Sequence, residues 1–380
     1  MVEISELVAQ ELRAPFFKGP YLGMPIIWNT MHANKMFDEL RTRAGALDNA
    51  SIRDGLLAVI EDPCVGEIVR SILCNSPFLT RCLLSDLPFL KLILEQGPDT
   101  GLSSVIDEIK DGLNHELDRE QLKRGLRVAR KRVALLVALA DITGIWSLER
   151  VTEALSDFAD AATSAALSHL LRVAAKDEEI CLTDDYFPEY ECGYFALAME
   201  KYGARELNYS SDIDLIIIYD PLKIDYRGRR SVRQFLVRMT RDLVAVLQDM
   251  TSDGYVFRVD LRLRPDPGST PIAIPYGNGL QYYQNRGAGW ERAAMIKARP
   301  AIGDLALGRR FMADLVPFIW RPNVDFWAQR EMVKIKRQIN QHRGGAEIGF
   351  HGYNIKLGRG GIREIEFFAQ SHQLVYGGRD

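Results

Sequence analysis

Two aspartates, Asp212 and Asp214, open a short apolar run in the stretch ELNYSSDIDLIIIY at residues 206–219. Because a strand sends residues i and i+2 to the same face, both carboxylates are predicted to project together from a strand that continues into a buried sheet. A second strand-like run, YVFRVDLRLR, carries Asp260. If the two strands are neighbours, three carboxylates meet at one end of the sheet.

Carboxylates held together repel one another, and a divalent cation removes that repulsion. Oxygen ligands suit Mg²⁺, which binds a few carboxylates together with phosphate oxygens and water. One or two Mg²⁺ ions, for which Mn²⁺ can substitute, would support an in-line displacement at phosphorus. The predicted metal ligands and catalytic residues are therefore Asp212, Asp214 and Asp260. The competing interpretation is that all three are structural carboxylates in salt bridges.

The approach to the first aspartates is predicted to bind phosphate. Gly203 permits a close backbone approach, and the hydroxyls of Ser210 and Ser211 can donate to phosphate oxygens. On the second run, alternation predicts one apolar face and one charged face. The charged face would contain Arg258, Asp260, Arg262 and Arg264.

Several further residues have two interpretations each. The arginines Arg258, Arg262 and Arg264, with Lys297 and Arg299 from MIKARP, either contact phosphate or are ordinary surface charges. Glu364 and Glu366 either join the site or pair with neighbours such as Arg363, since a two-residue spacing on a helix does not share a face. The aromatic residues Tyr282, Tyr283 and Trp290 either stack on a base or belong to the core.

The surrounding elements divide the chain into three predicted sections. Residues 1–175 have helical periodicity, clearest in LKRGLRVARKRVALLVALADI, whose basic residues are interpreted as a solvated face or, alternatively, a binding surface. Residues 176–303 contain the two strand-like runs and the helix pattern SVRQFLVRMTRDLVAVLQDM. Residues 304–380 are helical again, in VDFWAQREMVKIKRQIN and REIEFFAQSHQLVY. The predicted class is α+β, largely helical, with a mixed sheet between helical sections.

Composition narrows the function classes. The 380 residues carry a formal net charge of −3, which provides no overall attraction to nucleic acid or an anionic membrane. Five cysteines without a C-x-x-C spacing argue against disulfides and structural zinc, so they are predicted to be reduced core residues. The start of the chain lacks the features of a signal peptide and no apolar stretch reaches bilayer length, which predicts a cytoplasmic protein.

Several long segments resemble one known family. GARELNYSSDIDLIIIYD with VFRVDLRLRPD is similar to the nucleotidyltransferase superfamily, and more closely to the bifunctional glutamine synthetase adenylyltransferase/deadenylylase family. GAGWERAAMIKARPAIGD and KLGRGGIREIEFFAQSHQLVYGGRD also resemble that family. The wording RELNYSSDID and GGIREIEF is most similar to its amino-terminal, deadenylylase half.

This resemblance implies a Mg²⁺-dependent nucleotidyltransferase that acts on adenylylated glutamine synthetase. Inorganic phosphate would remove AMP from a tyrosine of that protein by phosphorolysis, giving ADP, and a PII-type signal protein and glutamine would regulate the reaction. Adenylylation with ATP is the first alternative, and a catalytically idle docking module for glutamine synthetase and the PII protein is the second.

The sequence departs from the family pattern in MEKYGARE, where Glu200 and Ala204 occupy positions expected to be glycine. This difference concerns the geometry of the phosphate-binding turn. Because the sequence stops at Asp380 within a family signature and has no second D-x-D unit, it is expected to be a fragment without adenylylating activity.

Overall fold

The structure is a computed structural model that describes residues 25–112, 117–320, 354–356, 358 and 360–377. Helices dominate both ends of this part of the chain and the strands lie between them in sequence, which confirms the predicted α+β, largely helical class. The helix predicted for residues 324–340 lies outside the described residues. In these described ranges, no helix is long and apolar enough to cross a membrane.

Eight helices lie in the described residues between 30 and 176. Several begin where a polar side chain accepts a hydrogen bond from a first-turn amide, as Asn49 and Asp62 do. At the start of the longest helix, the Oγ atom of Ser147 accepts from the amide of Arg150 at 3.4 Å. The bounds are Thr30–Gly45, Ala50–Ile60, Pro63–Asn75, Pro77–Ser85, Leu87–Gln96, Pro98–Asp107, Arg119–Ile142 and Leu148–Lys176, with a π-helical turn at Glu108–Gly112.

The basic helix Arg119–Ile142 is confirmed, but the prediction of a solvated cationic face is wrong for most of its charges. Arg127 is fully buried and donates to three backbone carbonyls outside its own helix, those of Gly254 at 2.7 Å, Val246 at 3.2 Å and Asp249. Lys131 pairs with an aspartate at 2.8 Å. The long side chains reach carbonyl and carboxylate oxygens, which the helical pattern does not reveal.

In the part of the chain that the structure describes, seven strands form two sheets. They are β1 Ile180–Cys181, β2 Tyr194–Ala198, β3 Ile213–Tyr219, β4 Asp225–Tyr226, β5 Val259–Asp260, β6 Ala273–Pro275 and β7 Arg299–Gly303. In the larger sheet β3 pairs antiparallel with β2 and parallel with β5 and β6, and β2 also pairs with β7. β1 and β4 pair separately. The predicted strand IDLIIIY is therefore β3, and it has three strand partners.

The later helices agree with the predicted patterns where they are described. Val232–Gln248 corresponds to SVRQFLVRMTRDLVAVLQDM, and Ile362–Tyr376 corresponds to REIEFFAQSHQLVY. The full set is Glu200–Gly203, Val232–Gln248, Tyr276–Arg286, Gly289–Met295, Leu305–Ile319 and Ile362–Tyr376. Of the five cysteines, Cys181 is exposed, which contradicts the prediction that all are core residues, and the other four are at least partly covered.

The second predicted strand is much shorter than its sequence pattern indicates. Of YVFRVDLRLR only Val259 and Asp260 are paired, so the long charged face is wrong. The backbone amide of Arg262 donates to the Asp260 side chain at 2.7 Å, which begins a turn. Pro265 and Pro267 follow, and proline cannot donate to a strand ladder.

The chain forms two compact units, each built from several segments. The first comprises the described residues up to His169 together with Arg205–Ser211 and Ala245–Arg258. The second comprises Leu170–Ala204, Asp212–Val244 and the described residues from Val259 onward. The division at 176 and 304 stays a prediction, although the change of texture near residue 176 coincides with a helix end. The core of the second unit includes Phe195, Leu197, Ile216, Ile218, Phe311 and Leu315.

Replacing Arg127 by methionine should lower the free energy of unfolding by about 3 kcal/mol, because it removes the hydrogen bonds that this buried guanidinium donates to the backbone carbonyls of Val246, Asp249 and Gly254. R124M is the matched control: Arg124 is exposed on the same helix, and its replacement should change stability by less than about 0.5 kcal/mol. Urea unfolding measures both. Equal effects of the two substitutions would contradict the structural role of Arg127.

Candidate active site

The predicted acidic residues lie at one edge of the larger sheet. Asp214 is the second residue of β3, and it stands in register with Asp260 on the parallel strand β5. Asp212 immediately precedes β3 and is exposed. The two runs are therefore neighbours, as predicted, and the pairing brings the third acidic residue beside the first two. Their role as metal ligands stays a prediction.

Asp214 carries the electrostatic cost of this arrangement. Partial burial, followed by repulsion from Asp260, Glu200 and Asp212, raises the pKa of its carboxyl group to about 7. Burial disfavours an ionised carboxylate, and like charges add to that effect. The site thus contains a carboxylate that a nearby cation would stabilise.

Asp260 is neutralised differently, by an arginine two residues along the chain. The guanidinium of Arg262 donates to both carboxylate oxygens, from Nε at 3.0 and 2.9 Å and from Nη2 at 2.5 Å. These hydrogen bonds hold the pKa of Asp260 below its usual range. The side chain of Arg262 is 84% exposed, so water screens the ion pair and its net contribution is small.

Within the described ranges, no three His, Cys, Asp or Glu side chains are arranged to hold a metal ion. At this edge Arg262 occupies both oxygens of Asp260. Every candidate ligand is a carboxylate oxygen, the ligand type that a hard divalent cation prefers, and burial followed by repulsion from three acidic residues raises the pKa of Asp214. Metal binding by these residues stays a prediction. Metal binding would require Asp260 to exchange Arg262 for the cation.

Glu200 is the neighbour that the sequence reasoning did not place at the site. It repels Asp214, and it lies 3.7 Å from Arg363 of the helix Ile362–Tyr376. Its backbone φ is 51°, in the left-handed region that favours glycine. The sequence did contain a signal for this residue, because glycine was expected at position 200. The backbone there has a conformation that suits glycine, but the residue is glutamate and adds a fourth carboxylate to the site. Ala204, with φ −77°, needs no glycine.

Gly203 has a packing role in this structure. A Cβ atom there would lie 2.1 Å from the carbonyl oxygen of Lys297 and 2.6 Å from that of Ala198, both backbone atoms. The missing side chain therefore allows the turn Glu200–Gly203 to pack closely against neighbouring backbone. Contact with phosphate at Gly203 remains a prediction.

The two serines and Arg258 belong to the first compact unit, whereas the acidic residues belong to the second. Within the first unit, Arg258 donates to the carbonyl oxygen of Ser210 at 2.7 Å and to the hydroxyl of Tyr255 at 2.8 Å. The hydroxyl of Ser211 accepts from the amide of Asn208 at 3.1 Å. These contacts order the turn that precedes β3, and phosphate binding by Ser210, Ser211 and Arg258 stays a prediction.

The other predicted cationic residues have structural contacts of their own. Arg264 donates to the carbonyl oxygens of Leu261 and Pro267, each at 2.8 Å, and so stabilises the loop after β5. Arg299 donates to the carbonyl oxygen of Tyr202 at 3.3 Å. Lys297 is partly buried, and its backbone carbonyl lies against Gly203. Contacts between these residues and phosphate stay predictions.

Both glutamates of the last helix, Glu364 and Glu366, have local structural contacts. Glu366 lies 3.8 Å from Arg363, which is the predicted ion pair. Glu364 accepts from the backbone amide of Gly360 at 2.9 Å, so it stabilises the start of its helix. Among the aromatic residues, Tyr283 is in the core and Trp290 is 42% exposed.

A known protein family matches the part of the chain that contains Asp212, Asp214 and Asp260. The glutamate-ammonia ligase adenylyltransferase family matches residues 66–314, well over half of the chain. The chain belongs to this family. Residues 331–380 also match the GlnD PII-uridylyltransferase family.

The similar curated proteins carry the name bifunctional glutamine synthetase adenylyltransferase/adenylyl-removing enzyme. The chain is 46% identical over 86% of its length to the one from Brucella suis, and 46% identical over 86% to the one from Xanthobacter autotrophicus. With the one from Rhodopseudomonas palustris it shares 40% identity over 99% of its length. The matches cover 33%, 33% and 37% of those relatives, so the chain spans about a third of their length.

Substitutions at Glu200 test the left-handed backbone. In an ordinary helix alanine is more stable than glycine by about 1 kcal/mol. At φ 51° the order should reverse, so E200G should be more stable than E200A by about 1 kcal/mol. Thermal unfolding of the two variants, which both lack the carboxylate, isolates the backbone effect. Greater stability of E200A would contradict this conformation.

D214N should be more stable than the parent chain at about pH 8 in EDTA, by on the order of 2 kcal/mol. A carboxyl group whose pKa rises on folding costs stability as the pH increases from its ordinary value of about 4 towards 7. Asparagine removes that ionisation. The advantage should disappear below about pH 3, where the carboxyl group is protonated in both states.

Millimolar Mg²⁺ should then stabilise the parent chain more than D214N, because the cation offsets the charge that asparagine lacks. D185N, at an exposed carboxylate of the same compact unit, should match the parent in both conditions. Thermal unfolding measures all three proteins. A less stable D214N at high pH in EDTA would contradict the repulsion at Asp214.

Proposed function

We propose that this chain removes AMP from an adenylylated tyrosine of glutamine synthetase by phosphorolysis, as the amino-terminal, deadenylylase half of a longer enzyme. Family membership and the names of the relatives support the substrate and the chemistry. The observation that carries the proposal is the register of Asp214 with Asp260 across β3 and β5, beside Asp212. This juxtaposition provides hard oxygen ligands at the edge of the sheet.

In the proposed reaction, an oxygen of inorganic phosphate forms a bond to the α-phosphorus of the adenylyl group. The bond between that phosphorus and the tyrosine oxygen breaks, the tyrosine oxygen takes a proton, and the product is ADP. Mg²⁺ or Mn²⁺, in one or two ions, would be held by Asp212, Asp214 and Asp260 and would supply charge stabilisation at phosphorus. Release of Asp260 would free Arg262 to contact phosphate oxygens.

The proposal also includes regulation. The match of residues 331–380 to the GlnD PII-uridylyltransferase family supports a PII-type protein as a partner of the longer enzyme. The reaction would take place in the cytoplasm. Both points rest on the family and not on the contacts at the sheet edge.

Radiolabelled inorganic phosphate distinguishes this reaction from its alternatives. Incubation of the chain with adenylylated glutamine synthetase, Mg²⁺ and labelled phosphate should place the label in ADP. Release of unlabelled AMP would indicate hydrolysis. In a parallel incubation of unmodified glutamine synthetase with ATP and Mg²⁺, transfer of AMP to the protein, with no labelled ADP in the first incubation, would indicate the adenylylating direction. Either result would contradict the proposal.

The double variant D212N/D214N should lower the rate by about a thousandfold or more, because it removes two of the predicted metal ligands. The exposed D185N variant is the control and should keep the parent rate. Binding of glutamine synthetase should be unchanged in the double variant. An unchanged rate in D212N/D214N would favour an idle docking module.

A further inference from the structure

An arginine-rich groove lies along the helix Val232–Gln248 in the second compact unit. Arg230, Arg233, Arg238 and Arg241 line it together with Val237 and Pro271, and its volume is about 720 Å³. Arg230 lies in the turn before this helix, and Arg233, Arg238 and Arg241 lie on the helix itself. From Arg233 to Arg241 the helix rises roughly 12 Å at 1.5 Å per residue.

Most of this positive charge has no acidic partner among the described residues. Arg230, Arg233 and Arg241 are exposed and form no ion pair there. Arg238 forms an ion pair with Glu179, and its hydrogen bond to Glu179, together with the charges of Glu179 and Asp242, raises its pKa. Since the whole chain has a net charge of −3, this cationic groove is a local feature.

The shape of the groove indicates the kind of ligand. None of the described residues that line it is aromatic, so they provide no stacking surface of the kind typical of single-stranded nucleic-acid sites. The helix N-terminus is already capped, because Ser231 and Gln234 exchange hydrogen bonds at 3.3 Å. A row of helical arginines about 12 Å long, with Arg230 beside it, suits several carboxylates along a peptide segment better than one phosphate group.

We propose that the arginine-rich groove docks an acidic segment of the protein substrate. This inference rests on the proposed function, because it assigns the groove to the protein that the reaction modifies. Guanidinium groups would pair with carboxylates of that segment, and Val237 with Pro271 would contact its apolar atoms. The groove therefore contributes to recognition of the protein and does not touch the reacting phosphorus.

The double charge reversal R233E/R241E tests the groove. Its KM for adenylylated glutamine synthetase should rise at least about tenfold at low ionic strength, with kcat unchanged. The KM of the parent should rise with salt, whereas that of R233E/R241E should respond much less. Turnover of a short neutral peptide containing adenylyl-tyrosine should be the same in both proteins.

R309E/R310E is the matched control. It changes the net charge by the same amount, at two exposed arginines of the helix Leu305–Ile319, and should keep the parent KM within about twofold. R233Q/R241Q, which removes the two positive charges without adding negative ones, should give a KM between those of the parent and R233E/R241E. This variant tests whether the rise in KM comes from lost positive charge or from misfolding caused by the introduced glutamates. An unchanged KM in R233E/R241E, or an equal rise in the control, would overturn the docking role.

Two further measurements separate the hypotheses. If the parent turns over neither the protein nor the peptide, the proposed function fails, and direct binding of glutamine synthetase then tests the groove: R233E/R241E should weaken it and the control should not. Binding of a single-stranded oligonucleotide that outcompetes glutamine synthetase and depends on the same arginines would overturn the assignment to a protein segment.

Discussion

Repulsion between carboxylates at the edge of the larger sheet is the interaction on which the site depends. The parallel pairing of β3 with β5 places Asp214 beside Asp260, and the turn Glu200–Gly203 after β2 adds Glu200. Burial prevents water from screening this repulsion fully. The protein offsets part of it with two arginines, Arg262 at Asp260 and Arg363 at Glu200.

The two carboxylates in register, Asp214 and Asp260, are compensated unequally. Arg262 covers both oxygens of Asp260 but is itself largely exposed, so its pair can open at small cost. Asp214 retains the larger share of the unfavourable charge, since its pKa rises to about 7 while that of Asp260 falls. A divalent cation that enters this edge would act mainly on Asp214. The proposed metal site therefore depends on Asp214 more than on Asp260, whose oxygens Arg262 now occupies.

Much of the fold could be predicted because its periodic segments are strong. The continuous apolar run of β3 indicates a buried strand, and the amphipathic helix Val232–Gln248 follows from its period of 3.6 residues. The alternation of YVFRVDLRLR failed beyond Asp260, because Arg262 folds back on Asp260 and prolines end the ladder. The prediction that the basic helix presents a solvated face was also wrong, because Arg127 donates to backbone carbonyls more than a hundred residues away in sequence.

By itself, the sequence determined the residue types at the site, the strand that carries Asp212 and Asp214, and the family likeness. It also marked position 200 as unusual, because glutamate stands where glycine was expected. Only the tertiary structure decided which carboxylates are neighbours, that Glu200 adopts φ 51°, and that Arg262 occupies Asp260. Strand register and side-chain pairing depend on contacts between distant segments, and local periodicity carries no information about those contacts.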